Sequence, residues 1–145
     1  MTREEKYIKK KIQRLVEQYR LIKDILFIDN CAKMPLAYKI SNMVVNCSIE
    51  PEAFGRVAIE SQAMEKVIVA SDIGGSKETI IDNKTGFVFK AGDAIALSDK
   101  LAHIFELNET TLKSMGIEGR KNVIKKFNVE KMCFSTYSEY IKLIS

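Results

Sequence analysis

Residues 43–70 read MVVNCSIEPEAFGRVAIESQAMEKVIVA, and the order of patterns in this stretch decides the fold class. Met43-Val44-Val45 and Val67-Ile68-Val69-Ala70 are short, continuous apolar runs, as expected of strands buried on both faces. Between them lie a polar loop over residues 46–55 and a helix over residues 55–65. Working toward the N-terminus, Ile25-Leu26-Phe27-Ile28 reads as a further buried strand ended by Asp29-Asn30. Pro35 opens a short helix that runs to about residue 40. Working toward the C-terminus, residues 71–75 form a turn, 76–81 one or two helical turns and 83–86 another turn. Phe87-Val88-Phe89 is then a last short strand. Buried strands alternating with helices predict an α/β fold, a parallel sheet of about four strands with helices on its faces.

The two ends read as helical. Thr2 caps a first helix, with Glu4 and Glu5 near its positive end. Ile8, Ile12, Leu15, Tyr19 and Ile22 make one apolar stripe along it. Beyond the sheet, Asp93 caps a helix carrying Ile95, Leu97, Leu101, Ile104 and Phe105. Thr110 or Thr111 opens another, reaching to about Phe127. Asn128 caps the last, with Glu130 in its first turn.

Composition bounds the function classes. The chain has 145 residues, 46% of them hydrophobic and 29% charged, which is ordinary for one globular domain. A formal net charge of +4 permits an anionic ligand without demanding nucleic acid. The basic runs Lys9-Lys10-Lys11 and Lys125-Lys126 lack interleaved aromatics on a strand face, so nucleic acid is not an expected partner. Lys9-Lys10-Lys11 reads as the solvated side of an amphipathic helix. Anionic lipid is its other reading, so membrane association is open but unsupported. Cys31, Cys47 and Cys133 form no zinc-ligand pattern and read as buried free thiols. No metal or other cofactor is expected. MTREEKYIKKK has no apolar core of a signal peptide, and no run approaches the roughly 20 residues of a membrane span. A cytoplasmic location follows by default, and the triplets at Asn46, Asn83 and Asn108 then read as coincidental rather than glycosylated. His103 lies in a helix with no nucleophile near it in sequence, and is read as a surface or boundary residue.

Ligands of parallel sheets bind at the carboxyl ends of strands, here the loops 29–34, 46–55 and 71–78. The second leads straight into a helix near Arg56, whose unpaired N–H groups and partial positive charge suit a diphosphate. Gly55 lets a ligand approach that backbone. Glu60 lies one turn beyond Arg56, about 6 Å along the axis, roughly the separation of a nucleotide's diphosphate from its ribose. Its carboxylate can accept hydrogen bonds from vicinal hydroxyls, and Glu52 could do so for a sugar on the other side. The alternative is that Glu52 only stabilises the helix end and Glu60 only faces solvent. The loop around Gly74 and Gly75 resembles a phosphate cradle weakly and reads equally as a structural turn.

PEAFGRVAIE, residues 51–60, resembles the E-x7-E motif of the group 1 glycosyltransferases, a retaining family with the two-domain GT-B fold. The likeness continues in register. ESQAMEKVIVASDIGG at 60–75 resembles the family's EAQAMGKPVIASDIGG. Further matches follow at Glu78-Thr79-Ile80, over residues 82–87 and at Ala91-Gly92-Asp93. The resemblance implies a partial Rossmann-like domain with a helical C-terminal segment, binding a nucleotide-sugar. It implies that Glu52, the catalytic candidate, contacts hydroxyls of the donor sugar and that Glu60 holds the ribose. The backbone of Ala53, Phe54, Gly55, Arg56 and Val57 would meet the sugar and diphosphate, and residues 30–34 would lie beside the base. It also implies a reaction with no covalent nucleophile, on the leaving-group face of the donor.

Departures from the family pattern are Glu65 in place of Gly, Val67 in place of Pro and Cys47 in place of a frequent Pro. Glu65 and Val67 are expected to weaken the turn into the following strand, since Gly is the preferred helix stop. The family's acceptor-binding N-terminal domain, and an Arg/Lys-bearing loop that neutralises the leaving diphosphate, have no counterpart here. The expectation is therefore a single nucleotide-sugar-binding domain over residues 1–145, the C-terminal portion of a hexosyltransferase. It would be nearly inactive alone, and a separate chain is one possible source of the acceptor domain. The competing expectation is a non-catalytic remnant or interaction domain that binds nucleotide-sugar or a partner chain.

Overall fold

The structure is a computed structural model that describes residues 3–144. The elements are α1 (Arg3–Gln18), α2 (Met34–Ile40), β1 (Met43–Asn46), α3 (Arg56–Ala63) and β2 (Val67–Ser71). Then come α4 (Ser76–Thr79), β3 (Phe87–Phe89), α5 (Ala94–Glu106), α6 (Glu109–Lys126) and α7 (Val129–Ile144). Residues through Ala32 form one compact unit and those from Lys33 onward another.

In the larger unit three parallel strands pair in the order β1-β2-β3. Met43 is opposite Val67 and Val69 opposite Phe87. Every residue of the central strand β2 is buried, which is why it reads as an apolar run as far as Ala70. Its side chains alternate between two cores. Val67 and Val69 pack with Phe87, Phe89, Ile104 and Met115, joined by Leu97 and Leu101 of α5. Ile68 and Ala70 pack on the other side with Ala58 of α3 and Ile80. Helices therefore cover both faces, as the alternation of patterns predicts. Gly116 lets α6 come close. A Cβ there would lie 2.1 Å from the carbonyl oxygen of Glu65.

Several expectations are corrected. Residues 25–28 form no strand. No backbone hydrogen bond reaches them among the described residues, and Leu26 is 83% exposed. An apolar run becomes a strand only where a neighbour offers its N–H and C=O groups. In the smaller unit α1 stops at Gln18, short of Tyr19 and Ile22, because Arg20 turns left-handed at φ 59°. The N–H of Leu21 then bonds to Val16 O and that of Arg20 to Glu17 O, a Schellman stop. Ile8, Ile12 and Leu15 stay exposed. Lys9 is not merely solvated, since it pairs with Asp29. The Thr2 cap lies outside the described residues.

Asn108, rather than Thr110 or Thr111, caps α6. Its side-chain oxygen accepts from Thr111 N at 2.8 Å, and both threonines sit inside the first turn. Ile95 and Phe105 are exposed, being off the stripe of Leu97, Leu101 and Ile104 that faces the sheet. All three cysteines are free, but Cys47 and Cys133 are exposed rather than buried. The Asp93 and Asn128 caps form as expected, accepting from Ala96 N and Lys131 N. Among the described residues no helix is long and apolar enough to cross a membrane.

Candidate functional site

The loop between β1 and α3 is built on one carboxylate. Glu52 Oε1 accepts a hydrogen bond from Asn46 Nδ2 at 2.8 Å, and Ser48 Oγ lies 2.8 Å from the same oxygen. Ser48 Oγ is also 2.9 Å from Asn46 Oδ1, so its single proton serves one acceptor at a time. Asn46 Oδ1 in turn accepts from Ser48 N, an Asx turn that bends the chain as it leaves the strand. The hydrogen bonds from Asn46 and Ser48 hold the Glu52 carboxyl below its ordinary pKa. Glu52 is therefore a fixed, ionised acceptor at neutral pH and is poorly suited to act as a general acid.

The glycines of the next loop have a structural use. Gly75 N donates to Glu52 O at 2.9 Å. A Cβ on Gly74 would lie 2.4 Å from Glu52 O, and one on Gly75 would lie 2.4 Å from the Phe54 carbonyl carbon. Of the two readings of this loop, the turn is the one these contacts support. Ser71, at the end of β2, donates its hydroxyl to Ser48 O at 2.7 Å. The 46–55 loop is thus pinned at two of its own carbonyls, by the last residue of the central strand and by Gly75 beyond it.

Gly55 precedes α3 with φ 73°, and a Cβ there would come 3.3 Å from the backbone of Gly75 and Ser76. Its smallness serves a left-handed bend and this packing. No side chain caps α3 and no acidic residue lies in its first turn. Among the described residues no acceptor meets the N–H of Arg56 or Val57. Arg56 itself sits at the positive end of the helix, where a cation is unfavourable. Val57 turns its side chain to the core, leaving its backbone as the part that can serve a ligand. Ala53 is exposed, and the Phe54 ring stands edge-on to Phe127 with centroids 6.1 Å apart.

Glu60 is engaged through both oxygens. Arg56 Nη2 donates to Oε1 at 2.8 Å, and the Tyr38 hydroxyl donates to Oε2 at 3.0 Å. Tyr38 was not among the residues expected at the site. It is the one buried residue of α2, and burial, helped by the Glu60 carboxylate, pushes its pKa up to about 12. A buried tyrosine needs a partner for its hydroxyl, and that requirement is the only signal the sequence holds for it. Of the 30–34 segment, residues 30–32 belong to the smaller unit and 33–34 to the larger. His103 is exposed and edge-on to Phe87. Among the described residues no three His, Cys, Asp or Glu side chains are grouped so as to hold a metal ion.

The sequence pattern of the family described as glycosyl transferases group 1 matches residues 6–122. A glycosyltransferase structure from Rickettsia africae is 32% identical with a TM-score of 0.90, covering 99% of this chain and 38% of that one. The C-terminal domain of a group 1 family protein (LpcC) from Francisella tularensis is 25% identical, with a TM-score of 0.76 over 88% of this chain and 66% of that domain. Anabaena HepE, in complex with UDP-glucose, shares the fold at 21% identity and a TM-score of 0.84, over 95% of this chain and 38% of that one. The chain spans about a third of the length of the curated relatives it matches, 34% for each of the first two.

Proposed function

The chain belongs to the glycosyl transferases of group 1, as part of their C-terminal domain, and on that premise we propose that it holds the donor of a retaining hexosyl transfer. The reaction would pass a hexose from a nucleoside diphosphate to an acceptor hydroxyl. The first turn of α3 carries this reading. It lacks a cap, lacks an acidic side chain, leaves the N–H groups of Arg56 and Val57 without acceptors and bears a cation at its start. Each of these costs stability in an empty helix end, and each becomes favourable beside a diphosphate.

Glu52 would accept hydrogen bonds from hydroxyls of the sugar, and Glu60 from those of the ribose. The backbone at Ala53, Phe54, Gly55, Arg56 and Val57 would face the sugar and diphosphate between them. As the glycosidic bond breaks, negative charge collects on the departing diphosphate. Fixed N–H dipoles would stabilise that charge without reorganising, usually the largest catalytic contribution available, and Arg56 would add a positive charge beside them. An acceptor-binding part, in the same or another polypeptide, would complete the enzyme. The complex of HepE makes UDP-glucose the first donor to try.

Calorimetric titration with UDP-, GDP- and ADP-hexoses tests the reading, with Glu60→Ala beside the unaltered chain. One nucleotide class is expected to bind, and the variant to lose that binding. A folded chain that binds none of them would overturn the proposal. The chain alone is expected to transfer little or no sugar, and measurable turnover would show that the acceptor-binding part is dispensable.

A second reading, a domain that acts by association, is favoured by α7. None of its residues is buried, and Phe134, Tyr137 and Leu143 are exposed. Sedimentation of the purified chain separates a monomer from an associating species.

A further inference from the structure

We infer that Tyr38 is a positioning residue for donor recognition: its buried hydroxyl fixes Oε2 of Glu60, leaving Oε1, covered by Arg56, as the oxygen that meets a ribose hydroxyl. This rests on the reading above, in which Glu60 faces the ribose.

The two bonds to Glu60 differ in kind. Tyr38 is 4% exposed and is the only buried residue of α2, so its hydroxyl has little freedom to leave. Arg56 is the opposite case, with a side chain 82% exposed and joined to Glu60 through an i, i+4 pair on the helix surface. Exposed pairs of this kind contribute little and break readily. A carboxylate held by one permanent and one exchangeable donor presents one oxygen in a defined direction.

Arg56 also stands at the uncapped first position of α3, beside the N–H groups that have no acceptor. An arriving diphosphate offers the guanidinium a doubly charged partner at the end of the helix it already occupies. Its move from Glu60 to the phosphates would uncover Oε1 as the ribose arrives. Arg56 thus keeps the carboxylate neutralised while the site is empty, and exchange links recognition of the two ends of the nucleotide. Tyr38 supplies the constraint that stops Glu60 from following Arg56.

The test compares UDP, GDP and ADP, each beside its 2′-deoxy form, on the full chain and on Tyr38→Phe. The unaltered chain is expected to prefer one ribonucleotide over its deoxy form by about tenfold, the worth of a hydrogen bond to a charged group. In Tyr38→Phe that preference falls to about threefold or less, while affinity for the deoxy form changes little. A variant that is merely loosened weakens both forms alike and overturns the inference, as does one that keeps the full preference. If the unaltered chain binds a diphosphate without preferring ribose, this inference falls and donor binding stands. If it binds no diphosphate, both fall.

Should Tyr38→Phe fail to fold, the unaltered protein still decides. Tyrosinate absorbance is followed at alkaline pH with and without the bound diphosphate. The Tyr38 step stays at about 12 in both if the hydroxyl remains buried against Glu60. A fall of that step toward the ordinary tyrosine range on binding means that the nucleotide draws the hydroxyl out of its burial and off Glu60, and overturns the inference.

Discussion

Gly74 lies against the backbone of Glu52 so closely that a methyl group on its α-carbon would sit 2.4 Å from the Glu52 carbonyl oxygen and 2.6 Å from its nitrogen. Two loops that follow different strands are therefore packed main chain to main chain, and the carboxylate on one is located by the other. Gly74→Ala is expected to cost about 2–4 kcal/mol, combining a left-handed φ with a backbone clash. Gly92 is the control. It has φ 76° but nothing within 4 Å of where its Cβ would be. Gly92→Ala should cost only about 1 kcal/mol. Urea unfolding of the two variants measures the difference, and equal losses would mean that the loop contact is slack.

Glu65 takes φ 58°, the conformation glycine adopts without penalty. The stop it makes is nonetheless complete, with Lys66 N bonded to Ser61 O at 2.9 Å and Glu65 N to Gln62 O at 3.0 Å. The turn into β2 is formed and carries backbone strain. Glu65→Gly should raise stability by about 0.5–1 kcal/mol, because its exposed pair with Arg120 is worth less than the strain relieved. A lower urea midpoint for this variant would show that the pair with Arg120 prevails.

The Glu52 carboxyl has a folded pKa below its unfolded one. The stability it contributes is therefore present above the ordinary carboxylate range and is lost as pH falls through the folded pKa. Asn46→Ala removes one of the donors responsible. The stability gap between the unaltered chain and this variant should be widest at pH 7 and narrow as pH falls below the ordinary glutamate range, leaving only the pH-independent loss of the Asx turn to Ser48. Thermal unfolding between about pH 3 and 7 reads it, and a gap of unchanged width in acid would assign the whole effect to that turn and to packing.

Tyr38 runs the other way. Its folded pKa, about 12, is above the unfolded value near 10, so protons bound by the folded state stabilise it at and below the unfolded pKa. That contribution disappears as pH rises through the folded pKa. The unaltered chain should lose more stability between pH 10 and 12 than Tyr38→Phe does. Parallel alkaline unfolding curves for the two would place Tyr38 in an ordinary environment.

Legibility in the sequence followed locality. β2 could be read because burial on both faces leaves its mark on four consecutive apolar residues, Val67 to Ala70. Residues 25–28 carry the same mark and make no strand, since pairing depends on a neighbour that the run itself does not encode. The helix caps at Asp93 and Asn128 follow from a residue and the next three positions. At the start of α6 the threonines read as the opening residues, whereas Asn108, the better N-cap residue, stands one position before the helix and accepts from Thr111 N. The motif from Glu52 to Glu60 was legible as a linear pattern. The contacts that hold it were not: Tyr38 is 22 residues from Glu60, and Gly74 is separated from Glu52 by an entire helix and strand.

The attachments of the 46–55 loop have a consequence for divergence among such proteins. Ser71 and Gly75 grip it at the carbonyls of Ser48 and Glu52, groups that every amino acid possesses. The side chains of Ile49, Glu50 and Ala53 stand exposed and take no part in the grip. Those three positions can therefore vary in size and charge while the frame that locates Glu52 keeps its shape.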